Sequence, residues 1–201
     1  MENRDIFVIS GPSGVGKTTL SQLLLKNVNN LAFSISYTTR PPRAGEKNGV
    51  DYFFIGKDEF KSMIAKGEIL EWAEVYEHYY GTSARFVKEA LMKGHDVLLD
   101  IDVQGARHVK RYFSQAVLIF ILPPSLEVLK HRLLKRHTES KEALKKRLKE
   151  VKEEIKNSKK FDYIVINKDL KSALGEILAI ITATKTRINK KWPQVKKIFH
   201  V

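Results

Sequence analysis

The clearest chemistry in the chain lies in Gly11-Pro12-Ser13-Gly14-Val15-Gly16-Lys17-Thr18, which matches G-x-x-x-x-G-K-[ST] at every fixed position. Its glycines let backbone N–H groups turn inward around an anion with no Cβ in the way. A helix starting near Lys17 adds the positive end of its dipole. In such a loop Lys17 reaches the β- and γ-phosphates of a nucleoside triphosphate, and Thr18 ligates Mg²⁺. The mechanism needs a strand before the loop and a helix after it. Ile6 to Ser10 is an apolar run bounded by Gly and Pro, and Thr18 to Asn27 carries Leu20, Leu23 and Leu24 at helical spacing.

A second group of residues could hold another phosphate. Ser36, Arg40 and Arg43 lie close together in a loop held open by Pro41 and Pro42. Two arginines can grip a dianionic phosphate through paired, charge-assisted hydrogen bonds. Tyr52 and Tyr80 offer hydroxyl donors, although such tyrosines also serve as core residues with a wet tip. Asp100 and Asp102 end a strand, where nucleotide sites of open α/β sheets lie. A carboxylate there orients Mg²⁺-bound water, touches an acceptor nucleotide, or simply caps a helix. The histidines His78, His95, His108, His131 and His200 show no metal-ligand spacing, and cysteine is absent. Mg²⁺ carried by nucleotide phosphates is the only metal implied.

Strands alternating with helices must position these groups. Ala32 to Ser36, Asp96 to Ile101, Ala116 to Leu122 and Tyr163 to Ile166 read as further strands. Gln104 to Arg111 reads as a short helix. Ser125 and Asp169 read as helix N-caps, and Pro193 as the end of the last helix or a residue beyond it. From Tyr37 to about Lys93 the texture changes to polar loops, an aromatic strand at Asp51 to Ile55, a helix at Asp58 to Lys66 and an alternating strand at Ile69 to Tyr76. The pattern predicts an α/β fold: a P-loop NTPase-type parallel sheet with helices on both faces, interrupted by an insertion.

Composition sets outer bounds. Hydrophobic residues make up 43% and charged residues 29% of the 201, enough for a sizeable core. The longest apolar run, Ala116 to Leu122, is too short to cross a bilayer, and the N-terminus lacks a secretory pattern. A cytoplasmic enzyme fits best. The net charge of +13 is concentrated between Lys130 and Lys160 and in a tail with no acidic residue after Glu176. The tail's lysines read as a solvated helix end, and neither a membrane nor nucleic acid is an expected partner.

The chain resembles the guanylate kinases. The shared stretches are the Gly11 to Thr18 loop, Ser36-Tyr37-Thr38-Thr39-Arg40-Pro41-Pro42-Arg43-Ala44-Gly45-Glu46, Gly49 to Phe54, Leu70 to Val75, Tyr79-Tyr80-Gly81-Thr82, Leu99 to Gly105, Ile119 to Ser125 and Ile164 to Asn167. The S-x-T-T-R-x-P-R and Y-Y-G-T blocks are specific to that family; the P-loop is shared far more widely. The resemblance implies transfer of the γ-phosphoryl of MgATP to GMP, with dGMP as a second acceptor, in GMP recycling and purine metabolism. It implies that Ser36, Arg40, Arg43, Tyr52 and Tyr80 hold the GMP phosphate, and that Glu71 and Thr82 read guanine with Asp100 and Asp102 nearby. Gly11, Pro12, Ser13, Gly14, Val15, Gly16, Lys17, Thr18, Thr19, Arg132, Arg136 and Asn167 are then the ATP residues, and Lys17, Arg40, Arg136 and Arg147 the catalytic ones. The implied organisation is one domain over about 4–185. A core of 1–36, 94–125 and 161–201 carries a GMP-binding lobe at 37–93 and a helical lid at 126–160. In the lid many relatives have Arg-Gly where this chain has Arg136-His137. Oligomeric state stays open, a homo-oligomer included. Two rivals stand beside this reading: a P-loop kinase with another phosphorylated acceptor, and an interaction module of the same fold without catalysis.

Overall fold

The computed structural model describes residues 4–75, 77–134 and 141–200, with only the backbone described for 141–148. Its core is a five-stranded parallel sheet in the order β2-β7-β1-β8-β9. These strands are β1 (Ile6–Ser10), β2 (Leu31–Phe33), β7 (Asp96–Asp100), β8 (Val117–Leu122) and β9 (Tyr163–Ile166). All of β1 is buried, as expected for a central strand covered on both faces. Its side chains alternate. Phe7 and Ile9 enter one apolar cluster with Leu20, Leu24 and Ile177, and Ile6 and Val8 enter another with Leu99, Ala106 and Val109. The first cluster lies under α1 (Lys17–Asn27) and α7 (Leu170–Lys185); the second lies under α4 (Val103–Tyr112) and α3 (Ala84–Met92).

A second, four-stranded sheet has the order β4-β3-β6-β5. It comprises β3 (Tyr37–Thr38), β4 (Phe53–Phe54), β5 (Ile69–Val75) and β6 (His78–Ser83), with α2 (Lys57–Ala65) between β4 and β5. The antiparallel β5–β6 pair sets Glu71 opposite Thr82, with a register shift between Ile69 and Glu71. Side-chain alternation puts Glu71 on the buried face of β5 with Ala73, while Trp72 and Glu74 face outward. The remaining helices are α5 (Leu126–Leu134), α6 (Lys141–Asn157) and α8 (Ile188–Phe199).

Three local expectations are corrected. The strand expected at Ala32 to Ser36 is Leu31–Phe33; Ser34 still donates to the Leu98 carbonyl at 3.1 Å, and the chain then leaves the sheet. The strand expected at Asp51 to Ile55 shrinks to Phe53–Phe54, because Asp51 belongs to a turn and its Oδ2 accepts from the Lys47 N–H at 2.8 Å. Pro193 does not end the last helix. The chain breaks earlier, at Thr186 and Arg187, and Pro193 sits inside α8, where a proline forgoes one backbone bond. The caps are as read: Ser125 Oγ accepts from the Val128 N–H at 3.2 Å and Asp169 Oδ1 from the Ser172 N–H at 2.9 Å. Among the described residues no helix is long and apolar enough to cross a membrane.

The basic tail is not merely solvated charge. Lys190 Nζ lies 2.9 Å from Asp5 Oδ1, with side-chain exposures of 11% and 2%. Lys185 Nζ lies 2.7 Å from Asp96 Oδ2, and the other Asp96 oxygen accepts from the Asp5 N–H at 2.9 Å. Two buried carboxylates at the start of β1 and β7 are therefore neutralised from the C-terminal end of the chain. Lys190→Ala would strand a buried carboxylate, which costs about 3 kcal/mol or more. In a domain of this size that is a fall of about 10 °C in Tm. Asp5→Asn/Lys190→Gln is expected to recover much of it; thermal unfolding of the three proteins checks both statements. Truncation after Arg187 is expected to carry the same loss.

Candidate active site

The loop from Gly11 to Gly16 links β1 to α1 at the carboxyl end of the sheet. Two of its glycines are dictated by geometry. Gly11 has φ 137° and a Cβ there would lie 2.3 Å from the Ile121 carbonyl oxygen; Gly16 has φ 98° and a Cβ would lie 2.8 Å from Asn167 Nδ2. Lys17 Nζ folds over the loop and donates to the carbonyls of Gly11 at 2.6 Å and Pro12 at 3.3 Å. Thr18 and Thr19 follow on α1 with exposed side chains. Asn167, after β9, is buried; its Nδ2 donates to the Val15 carbonyl at 2.7 Å and its N–H to the Leu122 carbonyl at 2.7 Å. It braces the loop from behind. Arg132 on α5 donates to the Asn167 carbonyl at 3.5 Å, at the same edge of the loop.

In the loop after β3, Arg40 is almost fully engaged. Its Nε donates to the Tyr80 hydroxyl at 3.2 Å, one terminal nitrogen to the Pro41 carbonyl at 2.7 Å, and the other to Glu46 Oε1 and Oε2 at 2.8 and 2.9 Å. Its guanidinium carbon sits 5.5 Å from the Tyr52 ring centre and 5.8 Å from that of Phe54. Tyr52 meets Tyr80 edge-on at 5.9 Å. Burial, with the neighbouring Asp100 charge, pushes the Tyr52 phenol up to about 12, so it stays a neutral donor at neutral pH. Ser36 is buried just before β3, and its carbonyl accepts from the Phe53 N–H at 2.9 Å. Arg43 has an exposed side chain, while its N–H donates to Glu46 Oε2 at 2.7 Å.

Asp100 joins the two sides. It ends β7, its carboxyl is raised by removal from water, and the Lys17 cation opposes that rise. Asp100 also acts on Tyr52, so the loop lysine and this tyrosine converge on one carboxylate. Asp102 takes the capping role: its Oδ1 accepts from the Gly105 N–H at 2.8 Å at the start of α4.

Glu71 lies on the buried face of β5. It is 4% exposed and Thr82 fully buried, and the Thr82 hydroxyl donates to Glu71 Oε1 at 2.6 Å. Burial pushes the Glu71 carboxyl up to about 7; the Thr82 hydrogen bond opposes this and the nearby Asp102 charge adds to it. A buried carboxylate whose hydrogen-bond donors both come from Thr82, the hydroxyl and the backbone N–H, has capacity to accept further hydrogen bonds. Arg136 lies outside the described residues. Arg147 falls on α6, whose backbone is helical there, and its side chain is likewise outside what is described.

Sequence reasoning assigned no role to Glu46, although it lies in the same motif as both loop arginines. A carboxylate close after an Arg-Pro-Pro-Arg turn was the available signal. Gly105 was equally unassigned, and its signal was a glycine inside a short helix, where propensity disfavours it.

A parallel sheet whose central strand opens into this glycine cradle, with a helix N-terminus behind it, defines a P-loop NTPase-type fold. The facing wall of arginine, tyrosines and a buried glutamate is what a phosphotransferase with a second nucleotide would require. The guanylate kinase family model matches residues 3–184. The guanylate kinase of Caldanaerobacter subterraneus subsp. tengcongensis is 51% identical over 185 residues, covering 92% of this chain and 90% of that one. That of Neisseria gonorrhoeae is 49% identical over 187 residues, covering 93% and 91%. The crystal structure of guanylate kinase from Anaplasma phagocytophilum is similar with a TM-score of 0.82 at 33% identity, over 98% of this chain and 95% of that one. The chain belongs to the guanylate kinase family, and its activity class is that of a nucleoside monophosphate kinase.

Proposed function

We propose that this chain transfers the γ-phosphoryl of MgATP to GMP, and also to dGMP, releasing ADP and GDP or dGDP. The buried Glu71–Thr82 pair carries this reading. Guanine presents N1–H and an exocyclic amine, two donors that one carboxylate accepts together, and its O6 accepts from the Thr82 hydroxyl once that hydroxyl turns from Glu71, which the guanine donors then satisfy. Adenine has no N1–H and carries an amine in place of O6, so it would leave both groups mispaired in a buried site.

The acceptor phosphate falls to Arg40, Arg43, Ser36, Tyr52 and Tyr80 in the lobe at 37–93, with Glu46 holding the Arg40 fork in place. The donor phosphates fall to the Gly11 to Thr18 loop, with Thr19, Arg132 and Asn167 at its edge. By the resemblance Arg136 and Arg147 close on those phosphates from the region at 126–160. No side-chain nucleophile is required, because a GMP phosphate oxygen attacks in line; the protein supplies position and positive charge. Among the described residues no group of three or more acidic, His or Cys side chains could hold a cation by itself. The Thr18 hydroxyl and Asp100 carboxylate are hard oxygen donors of the kind that suits Mg²⁺ shared with ATP phosphates. When bound, Mg²⁺ neutralises charge on the transferring group.

The raised Glu71 carboxyl makes a pH test available. GMP needs the ionised form, whereas near pH 6 a group titrating at about 7 is mostly protonated. GMP affinity is therefore expected to rise about tenfold from pH 6 to pH 8 and to level off above. Stability of the ligand-free protein moves the other way. With a folded pKa above the ordinary carboxyl value, Glu71 favours the fold at low pH and weakens it as pH rises through 7. The GMP phosphate titrates in the same range, so the comparison is with Glu71→Gln, which keeps the phosphate effect and loses the carboxyl effect. Identical pH profiles for the two proteins would contradict the assignment.

A further inference from the structure

Helix α4 has a glycine, Gly105, in its first turn, and its φ is not positive. The backbone there does not need glycine, and glycine weakens a helix relative to alanine. The glycine inside α7, Gly175, marks the contrast: an added Cβ there would meet nothing within 4 Å. At Gly105 an added Cβ would lie 2.1 Å from Glu71 Oε2, 2.9 Å from Glu71 Cδ and 3.2 Å from Asp102 Oδ1. Neither carboxylate is free to step aside. Glu71 Oε1 is tied to the Thr82 hydroxyl at 2.6 Å, and Asp102 Oδ1 to the Gly105 N–H at 2.8 Å. The Glu71 carboxylate is thus held between a hydroxyl on β6 and the bare Cα of α4.

We infer that Gly105 is a specificity-determining position: its missing Cβ admits the second carboxylate oxygen of Glu71 to the place where it accepts the exocyclic amine of guanine. This rests on the proposed reading of Glu71 as the guanine acceptor. Gly105 itself touches no substrate; it is a positioning residue acting through Glu71. The consequence is specific. Guanine and hypoxanthine share N1–H and O6 and differ only in the exocyclic amine. One carboxylate oxygen is enough for N1–H, and the second matters only where the amine is present. Displacing Oε2 therefore removes an advantage that GMP holds over IMP.

The test compares kcat/KM for GMP and IMP, with KM for ATP and thermal unfolding, in the wild-type protein, Gly105→Ala, Glu71→Gln, Glu71→Ala and Gly105→Ala/Glu71→Ala. Gly105→Ala is expected to lower kcat/KM for GMP about 30-fold through KM, which is the loss of one hydrogen bond to a charged group. The value for IMP should change by less than about threefold and KM for ATP not at all. With the Glu71 side chain gone, the two severe contacts are removed and the added methyl meets only Asp102 Oδ1, at 3.2 Å, while alanine gains helix propensity over glycine. Gly105→Ala/Glu71→Ala should then melt no lower than Glu71→Ala alone, and this comparison holds even if Gly105→Ala by itself does not fold. Equal losses for GMP and IMP, no loss for GMP, or a double variant less stable than Glu71→Ala would overturn the role of Gly105. A Glu71→Gln protein with unchanged kcat/KM for GMP would instead overturn the reading of Glu71 beneath it.

Discussion

Lys17→Ala is expected to lower kcat about a thousandfold while leaving GMP binding intact. The size follows from removing a preorganised cation beside the charge that develops on a transferring phosphoryl group. Two observations place Lys17 for that work. Its Nζ sits over the cradle, 2.6 Å from the Gly11 carbonyl oxygen and 3.3 Å from that of Pro12. Its charge also reaches Asp100 at the end of β7, whose charge in turn acts on Tyr52. Loss of the ammonium also leaves two loop carbonyls without that donor, so the defect belongs to the donor side and its geometry. ADP production at saturating GMP measures the first effect, and calorimetric titration with GMP the second. A fall of less than about tenfold in kcat would separate Lys17 from the chemistry.

The second large effect is expected from Glu71→Gln. A glutamine amide keeps one oxygen for the Thr82 hydroxyl but turns an N–H₂ toward the guanine donors. Donor then faces donor in a site where Glu71 is 4% exposed and water cannot compensate. We expect kcat/KM for GMP to fall by about two to three orders of magnitude, most of it in KM. The affinity for ATP should not move. The stability of the ligand-free protein at pH 8 should rise, because a buried carboxylate that ionises reluctantly has been replaced by a neutral group. A gain in Tm together with a loss of GMP turnover would mark Glu71 as a residue kept for function against stability. Equal losses on the ATP and GMP sides would point to general damage to the lobe instead.

The sequence was most informative where a local rule sufficed. The P-loop spacing located both the cradle and the strand and helix that carry it. Ser125 and Asp169 read as caps and act as caps. Continuous apolar runs located β1 and β8 to within a residue, because a central parallel strand buried on both faces leaves no other pattern; β9, at the sheet edge with Ile164 and Ile166 exposed, was located by its short apolar run alone. Less legible was everything that depends on chain ends or loops meeting. Asp5 and Lys190 lie at opposite ends of the chain, and each alone reads as an ordinary surface charge; only the fold buries them together. The engagement of Arg40 by Glu46 depends on the path of the turn between them, which prolines constrain without specifying. Gly105 illustrates the same point at atomic scale. Helix propensity marks it as anomalous, but the reason is a carboxylate delivered from β5, which no spacing in the sequence reveals.

The proposed reaction turns on which nucleotide accepts the phosphoryl group. The most direct measurement is ADP production from MgATP with GMP, dGMP, AMP, CMP and UMP in turn, with Lys17→Ala as the control. Turnover confined to GMP and dGMP, and lost in the control, is the predicted result. Comparable turnover with AMP, or none with any acceptor from a folded protein, would contradict it.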